Sequence, residues 1–97
     1  MIIKSSRFKI FIIAELISVR AKGTRITISC NGLDGNLIIT ADKEYIDSIY
    51  LAIEYMFTLN KDSNKTLIDL DSIIKNKICS SVEDEAVLFN NINIEVL

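Results

Sequence analysis

The sequence predicts a small α+β domain, an antiparallel sheet of three to four strands packed against two to three helices. Three observations predict it. Residues 24–30 alternate strictly, with Ile26, Ile28 and Cys30 on one side and Arg25, Thr27 and Ser29 on the other, the pattern of a half-buried antiparallel strand. Behind a capping Asp42, residues 43–59 carry apolar side chains at helical spacing. The chain has 97 residues, 49% hydrophobic and 19 of them isoleucine, enough for a single domain (1–97) around one core.

Taken in order, residues 8–19 are rich in isoleucine and phenylalanine, and at least the first half reads as a strand. Phe8, Ile10 and Ile12 then share one face, opposite Arg7, Lys9 and Phe11. Ala21, Lys22 and Gly23 form a turn into the alternating strand. The stretch 31–36 contains both Asn-Gly and Asp-Gly before the β-branched run 37–40, which predicts a hairpin.

The long helix has one apolar row of Ile46, Ile49, Ile53 and Met56 and a second of Tyr45, Ala52, Tyr55 and Leu59. Tyr50 falls on the charged row, and Leu51 and Phe57 fall at its edges. Two apolar rows exceed what packing on one sheet face requires, so the helix is either sandwiched or seats another subunit, as in a homo-oligomer. A second helix is predicted over 66–78, with Leu67, Leu70, Ile74 and Ile78 as its stripe and Thr66 with Asp69 as a capping box. Ser80 or Ser81 caps a short third helix beginning with Glu83, Asp84 and Glu85, and residues 92–97 alternate as a closing strand.

Composition excludes several kinds of chemistry. With no histidine, the chain has no Ser-His-Asp or Cys-His nucleophile and no imidazole ligand for zinc. Cys30 and Cys79 lie outside any C-x-x-C spacing and read as buried, reduced thiols, with a single disulfide between them as the alternative in a secreted protein. Gly23, Gly32 and Gly35 match no phosphate-binding loop. The stretch 60–71 places oxygen side chains as a calcium loop does, but Lys65 stands where that loop needs glycine and Asp71 where it needs a bidentate glutamate. It reads as a linker rich in caps. Asp69 with Asp71, and Glu83 with Asp84 and Glu85, read as first-turn acids rather than as acid-base pairs or magnesium ligands. No cofactor, metal or catalytic residue is expected.

Residues 4–19 resemble a signal peptide in their basic start and apolar run, but Glu15 interrupts that run. No window approaches the ~20 apolar residues of a spanning helix, and the expected location is the cytoplasm, away from membranes. Net charge is −2, unevenly spread: residues 1–33 hold six basic side chains against Glu15 alone, and residues 34–97 hold five lysines against twelve acids. Pairing of the first two strands would line Arg7, Lys9 and Arg25 along one face beside Phe11, suited to an acidic protein or, less well at an isoelectric point near 5.0, to nucleic acid.

Residues 16–34, reading LISVRAKGTRITISCNGLD, resemble the second half of the HPr phosphocarrier family, whose stretch runs roughly L-x-S-x-(x)-A-K-K-G-x-x-I-T-I-x-x-x-G-x-D ahead of an amphipathic helix. The match needs a one-residue gap and an extra strand, 37–40, before the helix. It implies no phosphotransfer, because the family's phosphorylated histidine lies in a half this chain lacks and its regulatory serine falls at Ile12. It does imply the family's docking on larger proteins through a flat apolar and basic surface.

These readings converge on a non-catalytic module that binds another protein or itself. Isoleucine, asparagine and lysine fill 35 positions while glycine, alanine, arginine and proline fill 11, as in AT-rich genomes of low-GC bacteria, their phages and plasmids. Small solo domains of that kind are often inhibitors, antitoxin-like or immunity proteins that occlude a partner. The expected partner-binding residues are Tyr50, Tyr45, Tyr55, Arg7, Arg25 and Phe11, aromatic and arginine side chains being the usual interface anchors.

Overall fold

In the computed structural model, residues 2–13, 15–31, 35–59, 67–77 and 85–97 are described. The fold is α+β, and the described residues form two sheets of three and four strands and three helices. Strand β1 (Ile2–Ser5) turns through residues 6–9 into β2 (Ile10–Ile13). They pair antiparallel, with Ile3 opposite Ile12 and Lys4 opposite Phe11. Lys9 closes the turn in the left-handed region at φ 57°. Strand β6 (Leu67–Asp69) lies on the other edge of β1 and runs parallel to it, so the small sheet is ordered β2-β1-β6.

The second sheet begins with β3 (Glu15–Lys22), which pairs antiparallel with β4 (Arg25–Asn31). Gly23 and Thr24 form their two-residue loop. Gly23, at φ 62°, supplies the positive torsion that lets such a loop follow the twist of its strands. Strand β5 (Asn36–Thr40) continues as the expected hairpin, and β7 (Asn93–Val96) closes the edge in the order β3-β4-β5-β7. The closing strand therefore lies beside β5, with Ile94 level with Ile39 and Ile26.

Helix α1 (Lys43–Leu59) starts where the sequence places it, Asp42 O accepting from the N–H groups of Tyr45 and Ile46. Ile46, Ile49 and Ile53 are fully buried. The helix packs on β3 and β4 and on α2 (Leu70–Lys77), while its Leu51 and Tyr55 stay exposed. Helix α3 (Glu85–Asn90) adds Leu88 and Phe89. One core cluster draws on both sheets and all three helices. Each fully buried isoleucine stabilises it by about 1.5–3 kcal/mol.

Three expectations are corrected. Strand β1 is absent from the sequence reading; it offers only two adjacent isoleucines as a signal, and both its partners are supplied by other segments. The run 8–19, expected as one strand over at least its first half, contributes to two, β2 and β3, divided between the sheets. Residues 67–69, predicted as helix, are a strand, because pairing with β1 buries Ile68 whereas Leu67 is left exposed. Helix α2 accordingly begins at Leu70, and Asp69 caps it, its Oδ1 accepting from Ser72 N at 3.4 Å. Thr66, the caps at Ser80 and Ser81, and Cys79 lie outside the described residues.

Candidate functional site

Alternation along the small sheet determines what each face carries. Because Ile3, Ile12 and Ile68 point into the core, their neighbours point out. Register then aligns Ile13, Ile2 and Leu67 in one outward row and Phe11, Lys4 and Asp69 in the next. Ile13 is 72% exposed, Phe11 65% and Leu67 47%. Nothing in β2, Ile-Phe-Ile-Ile, carries the charge that usually guards an edge strand.

The apolar surface continues past β6. Leu67 and Asp69 form one wall of a groove of about 590 Å³ between α1 and α2, where Leu51 and Tyr55 stand exposed above Ala52, Met56 and Ile73. Five of the seven large apolar side chains that are exposed among the described residues thus lie on this one side; the other two, Val96 and Leu97, lie at the end of β7. Charge on the small sheet's outward face is balanced, with Lys4 Nζ 3.9 Å from Asp69 Oδ2.

Hydrogen bonds hold this face in place from below. Ser5, buried at the end of β1, donates through Oγ to Asp71 Oδ1 at 2.6 Å and accepts from Phe8 N at 3.2 Å. Asp71 Oδ2 accepts from Arg7 N at 3.1 Å. The first turn of α2 therefore fixes the β1–β2 turn, and with it the placement of Phe11 and Ile13.

The expected site residues separate into three places. Phe11 and Tyr55 belong to the apolar surface. Arg7 sits in the β1–β2 turn with its guanidinium 4.1 Å from the centroid of the Phe89 ring, an attractive cation–π geometry. Arg25 lies on the outward face of the large sheet, where register puts it beside Lys22 and in line with Arg20. The basic face expected from Arg7, Lys9, Arg25 and Phe11 is therefore not formed, because β2 pairs with β1 and not with β4.

Tyr45 and Tyr50 are half-buried against the core. The sequence reading gives Tyr50 no core role, but it stands one helical turn from Ile46, at the border of the buried arc. The negative charge of Glu54 beside it, with burial, holds its phenol above the usual range. Sequence reasoning misses Ile13, Leu51 and Leu67 as surface residues; only Leu51 has a signal, its position at the edge of the charged row.

Among the described residues, no group of three or more potential metal ligands gathers. Residues 60–66 of the candidate calcium loop, and Glu83 and Asp84, lie outside them. Asp69 and Asp71 are engaged by Lys4, Ser72, Ser5 and Arg7 N as above. No helix among the described residues is long and apolar enough to cross a membrane.

Cys30 is buried, and burial pushes its thiol up. The unfolded chain then loses this proton more readily than the folded one, so the contribution is complete below the ordinary thiol range, about 8.5, and declines as pH rises above it. Urea midpoints should fall between about pH 8 and pH 10, and the fall should be smaller in Cys30→Ala. Equal slopes in the two proteins would show that Cys30 ionises alike in both states.

No protein-family model, curated protein or solved structure matches this chain.

Proposed function

We propose that this chain is a non-catalytic protein-interaction module, a cytoplasmic inhibitor or regulator of phage, plasmid or immunity type that acts by covering a site on another protein. The observation that carries the reading is the continuous apolar surface from Phe11 and Ile13 across Ile2 to Leu67, Leu51 and Tyr55. Large apolar side chains exposed together on one side, rather than scattered singly, mark interaction sites. Phe11 and Tyr55 supply the aromatic anchors that interfaces favour.

A second reading comes from Arg20, Lys22 and Arg25 on the outward face of the β3–β4 hairpin, which suit an anionic partner such as nucleic acid. Phosphates would find charge there. Bases would find no aromatic platform, since Phe11 is on the other sheet.

Immobilised protein in host lysate, with and without nuclease, separates the two. The interaction reading expects one stoichiometric protein, retained after nuclease, lost with Phe11→Asp and kept with Lys22→Glu/Arg25→Glu. Phe11 is exposed, so the melting temperature of Phe11→Asp should stay within a few degrees of the parent. Retention that follows Arg25 and Lys22 and vanishes with nuclease would replace this reading by the second.

A further inference from the structure

We infer that a second copy of this chain packs on the same apolar surface, so that the free protein is a twofold dimer; this rests on the surface being the interaction site. An isologous interface requires that a feature and its complement lie at equal distances on opposite sides of one axis.

Such an axis exists here, parallel to the strands and midway between β1 and β6. Rotation about it lays β1 of one copy over β6 of the other without changing level along the strands. Ile2 then faces the partner's Leu67, and Lys4 faces the partner's Asp69, opposite charges meeting twice. With strands about 4.8 Å apart, β2 lies about 7 Å from the axis on one side, and on the other lies the groove that Leu67 and Asp69 of β6 wall. Phe11 and Ile13, the exposed side chains of β2, are thereby set over the partner's groove, beside its Leu51 and Tyr55.

Size points the same way. The three short strands alone offer too small a patch for a standard interface of about 800 Å² per partner. Seating β2 in the groove brings α1 and α2 into the contact twice over, once from each copy. A partner of strong single-sign charge gains nothing from a face whose two charges, Lys4 and Asp69, cancel. In the dimer the face is closed, and another protein reaches it only by displacing the second copy, so the module's availability depends on its own concentration.

Sedimentation or light scattering on the full chain at micromolar concentration provides the test. The wild type should be a dimer. Phe11→Asp on the β2 side and Tyr55→Asp on the groove side should each be monomers with an unchanged circular dichroism spectrum. Lys4→Glu should weaken self-association at least ~10-fold, and mixing it with Asp69→Lys should restore a heterodimer. Because Asp69 also caps α2, each variant is first checked for folding, and Phe11→Asp and Tyr55→Asp decide the matter if Asp69→Lys fails that check.

A wild type that stays monomeric, or a dimer that survives Phe11→Asp or Tyr55→Asp, overturns the inference. A monomer that still loses a lysate protein on Phe11→Asp sinks the dimer alone. A monomer whose captured proteins are indifferent to that substitution sinks the interaction reading as well.

Discussion

Asp71→Ala should lower the stability of the protein by about 3 kcal/mol, read as a shift in urea midpoint with little change in slope. One carboxylate serves two donors, Ser5 Oγ and Arg7 N, from a segment that is otherwise distant in sequence. Hydrogen bonds to a charged acceptor contribute about 1.5–3 kcal/mol each, and truncation leaves the buried Ser5 hydroxyl without its acceptor. Asp71→Asn keeps an oxygen for Ser5 but presents an amide to Arg7 N, so about half of the loss should remain.

Ser5→Ala alone should cost about 1–2 kcal/mol, since it removes the donor and the acceptor of Phe8 N together. Combined with Asp71→Ala it should cost less than the sum, with a coupling of at least ~0.5 kcal/mol. Additive losses would mean that Asp71 stabilises α2 by a separate route, as a first-turn acid at the helix dipole. Asp71→Ala should weaken the proposed self-association even where the protein remains folded, because the turn preceding Phe11 loses its anchor.

Gly35→Ala is expected to cost about 2–4 kcal/mol and to free the end of β7. Gly35 has a φ of 109°, a torsion L-residues rarely adopt, and a Cβ there would overlap the backbone carbonyl of Leu97. That carbonyl accepts from Asn36 N at 2.7 Å, and Leu97 N donates to Asn36 O at 2.9 Å, so relief of the clash must break both bonds. Gly23 provides the contrast within the same sheet. Its φ is 62° and nothing lies within 4 Å of the place an alanine methyl would take, so Gly23→Ala should cost only the left-handed penalty of about 1–2 kcal/mol. Amide hydrogen exchange at Asn36 and Leu97 should quicken in Gly35→Ala and stay slow in Gly23→Ala. Similar costs and similar exchange in both would show that Leu97 yields freely.

The parts of the fold that are legible in the sequence are those whose information is local. Strict alternation announces β4, the glycine-bearing turns announce both of its hairpins, and Asp42 with helical spacing announces α1. The small sheet is not legible, because Leu67, Ile68 and Asp69 satisfy a helical stripe as well as a strand, and only pairing with β1 chooses between them. That failure carries over to the site. Phe11 and Tyr55 stand out as aromatics, but Leu67 reads as part of a core stripe, and Arg25 is joined to Arg7 on a face that does not form. Residue chemistry can nominate anchors; which of them share a surface is decided by a strand pairing the sequence does not state.

The bond between Ser5 and Asp71 spans 66 positions, as does, nearly, the pairing of β1 with β6. Closing a loop of that length costs about 3–4 kcal/mol of chain entropy before any contact rewards it, whereas the β3–β4 and β4–β5 hairpins close over a few residues. The β1–β2, β3–β4 and β4–β5 hairpins can therefore form early, whereas β6 joins β1, and β7 joins β5, only in a last step that closes long loops. Ile2 and Leu67 come side by side in that last step. On the proposed function, a newly made or partly unfolded molecule has no assembled docking surface to offer, and partner recognition doubles as a check that the chain has finished folding.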